Sequence, residues 1–219
     1  MSPKAGPARP ARRRALELLA GASGAAWLAG CVTPLRPVAV LPGFPPDVGW
    51  PERRAVLQRL AGFSLRGRIA VAAGDAGFSA SLRWVQAGSR GELEFDGPLG
   101  IGGLRVVARD GDLTLTNARG QRLDGAAARA DLERQLGFEL PLASLRYWVL
   151  GVPDPAVGVD EERLSPDAPR LEALGQAGWQ VAYRAYAGDA AGLPRRIDAV
   201  RGLARLRLLV EQWAGEDGR

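Results

Sequence analysis

The 219 residues contain no histidine and one cysteine, Cys31. Without histidine, Ser-His-Asp and Cys-His catalysis in their usual forms are excluded, and so are histidine-based metal sites. One cysteine builds neither a zinc ribbon nor an internal disulfide. No Walker A sequence occurs, which argues against direct use of ATP. Gly100-Ile101-Gly102-Gly103 is as glycine-dense as a phosphate loop, yet it leads into a strand pattern and lacks the full spacing. Gly77-Phe78-Ser79-Ala80-Ser81 lacks the closing glycine of a nucleophile elbow. The acidic pairs Glu161-Glu162 and Asp154-Asp160 fall in a charged, proline-bearing stretch that reads as a solvated loop. The expectation is a protein that is not an enzyme and holds no metal or cofactor.

The net charge of +5 suggests a nucleic-acid or membrane partner, but it is unevenly placed. Residues 1–30 hold Lys4, Arg9, Arg12, Arg13 and Arg14 against the single acid Glu17, and the remainder carries 24 basic and 23 acidic residues. The basicity belongs to the leader, so nucleic-acid binding loses its support. The leader has the anatomy of an export signal: basic Arg12–Arg14, then an uncharged run from Leu18 to Ala29. That run is shorter than the roughly 20 residues a bilayer span needs. It ends in Leu28-Ala29-Gly30-Cys31, the pattern of a bacterial lipobox, in which the cysteine is lipidated and becomes the first residue. Val32 follows where Asp commonly retains a lipoprotein in the inner membrane, which favours the outer membrane.

The expected organisation is a signal peptide over 1–30, a lipidated Cys31 with a proline-rich tether over 31–49, and one domain over 50–219. The tether holds Pro34, Pro37, Pro42, Pro45 and Pro46. Proline-rich chain extends at about 3.1 Å per residue. Pro51 opens a helix with Val56, Leu57 and Leu60 on its apolar side and Arg53, Arg54, Gln58 and Arg59 on its wet side. Period-two segments follow at 64–71, 78–84, 92–96, 104–106 and 113–115, separated by turn signals such as Gly74-Asp75, Gly97-Pro98 and Asp110-Gly111. Asp124 is placed to cap a helix over Ala126–Leu136, and Leu140-Pro141-Leu142 opens another through Leu150. A charged loop is expected from Asp154 to about Arg170, and strands resume at Trp179–Tyr183, Arg195–Val200 and Ala204–Trp213. The fold class is α+β and mainly β: a curved antiparallel sheet with helices covering its apolar face. Leu99 sits bare on the Pro98–Gly100 turn, where polar side chains are usual.

The lipobox and the segments "FSASLRWVQAG", "FDGPLG", "GFELPLASLRYWVLGVPDP", "QAGWQVAYRAY" and "RLRLLVEQW" together resemble the LolB family. These are outer-membrane lipoprotein receptors of Gram-negative bacteria. The resemblance runs from about Phe63 to Trp213. It implies an incomplete antiparallel β-barrel whose helices lid a hydrophobic cavity. The implied role is to accept acylated lipoproteins from the periplasmic carrier LolA and place them in the outer membrane. It also implies that the leucine of the protruding Pro-Leu-Gly turn, here Leu99 between Pro98 and Gly100, matters for inserting cargo.

A carrier of this kind needs an apolar wall, because acyl chains bury roughly 0.8 kcal/mol per methylene on leaving water. Alternation nominates Leu65, Ile69, Val71, Phe78, Leu82, Trp84, Leu93 and Phe95 as wall residues, with Leu145 and Trp148 on a covering helix. An ordinary packed core has the same period, so hollow and filled are both open. The expected partners are LolA, lipoprotein cargo and the outer membrane through the Cys31 lipid; the chain is expected to be a monomer on the periplasmic face. The alternative is an outer-membrane lipoprotein with a structural role and no acyl cavity.

Overall fold

The computed structural model describes residues 41–97, 103–189 and 191–213. Cys31 and the Pro98-Leu99-Gly100 turn lie outside the described residues. Alternating apolar residues become strands wherever the pattern is clean: β1 (Gly62–Ala73), β2 (Ala76–Ala87), β3 (Arg90–Asp96), β4 (Leu104–Arg109) and β5 (Asp112–Thr116). After the short β6 (Arg122–Asp124) come two helices, α2 (Gly125–Leu136) and α3 (Leu142–Trp148). The chain returns through β7 (Val159–Leu164), β8 (Leu171–Gln176), β9 (Trp179–Tyr186), β10 (Pro194–Arg201) and β11 (Ala204–Trp213). A first helix, α1 (Trp50–Gln58), precedes the sheet, with proline in its first turn where a missing N–H costs nothing.

All eleven strands form one antiparallel sheet in the order β6-β5-β4-β3-β2-β1-β11-β10-β9-β8-β7. It is curved and unclosed, with β6 and β7 as edges. Curvature lets α2 touch β5 and β6 and also β1, four strands further on. Where β1 meets β11 the register slips between Arg66 and Gly67. A Cβ at Gly67 would stand 2.1 Å from the Leu209 carbonyl oxygen, so only glycine fits this bulge. The bulge adds local twist to the centre of the sheet.

Antiparallel pairing fixes two rims. The near rim holds the turns β2–β3 and β4–β5 and the β9–β10 connection; the far rim holds β1–β2, β3–β4, β5–β6, β8–β9 and β10–β11. Inward-facing residues of β1–β5 and β9–β11 pack with α2, α3 and α1 into one apolar core.

Four details depart from the sequence reading. The expected loop over 154–170 contains β7, and β8 follows it at once. Every residue of β7 is exposed, so no buried face imposes alternation; charges on an edge strand also deter pairing with another chain. Arg53, expected on the wet face of α1, is buried: its guanidinium donates to the Ala191 and Gly192 carbonyls at 2.9 and 2.8 Å and lies over the Phe44 ring. Burial lowers its pKa from the ordinary arginine value. Asp124 occupies the N-cap of α2, yet its carboxylate accepts from Thr114 and Arg122 instead of the helix amides. Leu41 and Phe44, assigned to the tether by composition, pack against the core. No helix among the described residues is long and apolar enough to cross a membrane.

Candidate functional site

The helices cover the concave face in two halves. Amphipathic spacing in α2 buries Ala128, Leu132 and Leu136 towards the β5–β6 side. Over the other side, α3 turns Leu145 and Trp148 inward. Trp148 is held at both ends: its Nε1 donates to Gln176 Oε1 at 2.8 Å, and its carbonyl accepts from the Tyr183 hydroxyl at 3.1 Å. Burial pushes the Tyr183 hydroxyl well above the ordinary tyrosine pKa, so it remains a donor. Gln176 is wholly buried on β8, and its amide also bonds the Asp154 N–H, the Asp154 carbonyl and the Val157 carbonyl at 2.8–2.9 Å. The buried Asp154 carboxylate accepts from Ser144 Oγ at 2.8 Å and the Ala156 N–H at 2.9 Å. One amide and one carboxylate thereby pin α3 and the segment after it onto the sheet.

Between the two helices and the inner face of β2–β5 lies a cavity of about 480 Å³. Its floor is apolar, from Trp84, Leu93, Ala108, Leu113, Leu132 and Leu142. Charged residues of both signs also line the cavity: Arg109, Asp110, Asp112, Arg129, Glu133, Glu139, Arg146 and the buried Asp154. The Arg129 guanidinium reaches the Gly111 carbonyl at 2.7 Å, tying α2 to the β4–β5 turn.

Of the wall residues expected from alternation, Trp84 and Leu93 line this cavity. Leu65, Ile69, Val71, Leu82 and Phe95 are buried in the packed core, with Phe78 partly buried against it. Leu145 and Trp148 belong to the same packed core. Alternation did not single out Ala108, Leu113, Leu132, Leu140, Leu142 or Tyr147 as lining residues. Leu113 and Leu132 carried an inward period; the closeness of α2 and α3 to β5 carried no signal. Trp179 Nε1 is a buried donor without a partner among the described residues, in a ring cluster with Phe138 and Trp148.

The family model described as Outer membrane lipoprotein LolB matches residues 61–213, all eleven strands and both covering helices. The chain belongs to the LolB family. Its relatives include the outer-membrane lipoprotein LolB of Nitrosococcus oceani, 34% identical over 85% of this chain and 91% of the relative. LolB of Halorhodospira halophila is 34% identical over 91% of this chain and 96% of its own. The sheet-and-helix fold is also shared with a putative outer membrane lipoprotein-sorting protein domain from Vibrio parahaemolyticus. That match has a TM-score of 0.50 at 8% identity and covers 78% of this chain and 92% of that one. A DUF1329 family protein from Desulfovibrio piger matches at TM-score 0.50 and 9% identity, covering 76% and 90%. These two likenesses concern fold alone. LolB membership makes this an outer-membrane lipoprotein of the lipoprotein-transport class, lipid-anchored in a Gram-negative cell.

Proposed function

We propose that this LolB-family receptor takes the acyl chains of a lipoprotein from the periplasmic carrier LolA into the cavity between the sheet and α2–α3. It then passes them to the outer membrane, working as a monomer held by the lipid on Cys31. The observation that carries the reading is the apolar-floored cavity of about 480 Å³. That volume is within the 300–1,000 Å³ usual for ligand pockets. Counting a methylene at the ~30 Å³ of a liquid water, it takes on the order of one chain. Cargo with three chains then needs α2 and α3 to yield, and the core leucines beneath them become wall.

Transfer without a nucleotide runs downhill. The receptor binds acyl chains more tightly than the carrier does, and each tenfold in that ratio requires about 1.4 kcal/mol.

Asp96 and Leu104, the strand ends nearest in the chain to the Pro98-Leu99-Gly100 segment, lie at the far rim. In this reading Leu99 acts on the bilayer and not on the chain in the cavity. Burial of one leucine yields about 1.5–3 kcal/mol, enough to bias a rim towards a membrane ten- to a hundredfold. Leu99→Glu is expected to leave folding and cargo acceptance intact and to reduce delivery of labelled lipoprotein into vesicles by at least tenfold. Normal delivery by that variant would remove Leu99 from the pathway.

The reading is tested with the chain lacking residues 1–30 and with Cys31 replaced, mixed with LolA carrying a labelled lipoprotein. Movement of label to this protein in a pull-down is the expected result. Retention on LolA, with the receptor shown folded by circular dichroism, would leave a structural lipoprotein without an acyl site.

A further inference from the structure

The β10–β11 turn consists of Gly202 and Leu203, with Arg201 paired to Ala204. Gly202 has φ +57°, which suits the first central position of a type II′ hairpin turn. The second position needs nothing apolar, yet Leu203 stands there 76% exposed, the most exposed large apolar side chain among the described residues. A single exposed leucine needs no explanation by itself. Three neighbouring features give this one meaning.

The first is the company it keeps. Val200 and Leu209, on the convex face of the same two strands, are 41% and 39% exposed. The second is charge. Arg184, Arg196 and Arg207 converge on the single carboxylate of Asp198, at 3.5, 3.9 and 2.7 Å. Arg205 makes no ion pair among the described residues and faces the same open groove of about 850 Å³, as do Arg184 and Arg207. Four arginines against one aspartate leave +3 on one patch, in a chain whose residues beyond 30 sum to +1. Glu211, also outward on β11, pairs with Arg68 at 2.7 Å; Asp75 lies on the adjoining β1–β2 turn, where the Gly74 N–H donates to the Leu203 carbonyl. The third is position. This turn lies on the far rim, the rim of the β3–β4 connection, with β1 and β2 between the two.

We propose that the Leu203 turn and its arginine patch form a second bilayer contact. Leu203 enters the acyl boundary, and Arg205, Arg184 and Arg207 meet the phosphates of anionic phospholipid. An apolar tip beside dispersed basic residues fits a lipid surface. The inference rests on the reading of the far rim as the membrane-facing one. A single contact leaves a tethered body free to swing about it; two contacts separated by intervening strands fix its tilt. That deepens the role of the rim from touching the membrane to orienting the cavity above it.

The test uses the mature chain with Cys31→Ser; its described residues all fall in one compact unit. Co-sedimentation is measured with vesicles of phosphatidylcholine, with and without phosphatidylglycerol. Leu203→Ser is expected to weaken partition about tenfold on both compositions. Arg205→Glu is expected to leave neutral vesicles unaffected and to cut the gain from phosphatidylglycerol several-fold, along with its salt dependence. Separately, Leu203→Cys carrying an environment-sensitive fluorophore should shift to the blue on vesicle binding. Unchanged partition of Leu203→Ser, or a label that stays in water, would overturn the proposal, as would preference of the patch for an acidic protein over vesicles. Acyl transfer from LolA to soluble receptor is independent of Leu203. Its failure would count against the cavity reading alone, and loss of vesicle binding in Leu99→Glu but not Leu203→Ser would count against this one alone.

Discussion

Gln176→Ala is expected to destabilise the fold by about 3–5 kcal/mol. The amide is fully buried and bonds four groups: Trp148 Nε1, the Asp154 N–H, and the carbonyls of Asp154 and Val157. Each buried group left unpaired costs about 1–3 kcal/mol, and partial relaxation or water entry recovers some of it. Against a total of roughly 5–15 kcal/mol, that is a large share. In urea, with a slope of about 1–3 kcal/mol per molar, the midpoint falls by roughly 2 M. Gln180→Ala, an exposed position on the neighbouring strand, is the control and should change stability by less than about 0.5 kcal/mol. A loss below about 1 kcal/mol for Gln176→Ala would mean that this amide does not hold α3 and the segment behind it to the sheet.

Ala108→Trp is expected to abolish binding of a fluorescent fatty acid while leaving the fold intact. Ala108 lies on the inner face of β4, opposite Gly91 and Leu113, and lines the cavity. In a packed core a gain of this volume costs about 1–3 kcal/mol or more through displaced neighbours. Here the indole enters space already empty, so the melting temperature should move by only a few degrees, and probe affinity should fall more than tenfold. Full binding by the variant would place acyl chains elsewhere on the concave face. Loss of both fold and binding would show the space to be smaller than about 480 Å³ suggests.

Most of the fold was legible in the sequence because most strands have one buried and one wet face. Leu65, Ile69 and Val71 on β1, and Leu206, Leu208 and Val210 on β11, point inward at every second position and give period two directly. β7 was illegible for the opposite reason: with both faces exposed, Asp160, Glu161, Glu162 and Arg163 look like a loop. In β8, burial on both faces erased the alternation, since Ala173, Leu174, Gly175 and Gln176 are all buried. Arg53 misled because a carbonyl-bonded guanidinium beside an aromatic ring is chemically satisfied in the interior, and periodicity counts it as polar.

The sequence by itself determined the order and facing of the main strands and the motifs that announce the family. Those are local properties, fixed by side-chain period and turn residues. Tertiary structure alone decided which inward residues line space and which fill it. Trp84 and Leu93 share their period with Leu65 and Ile69, yet only the first two border the cavity. The difference is set by how far α2 and α3 stand from each part of a curved sheet, a distance that no residue encodes alone. It likewise decided that Leu203 and the β3–β4 connection, about a hundred residues apart, share one rim, because strand direction in an antiparallel sheet is a property of the whole pairing order.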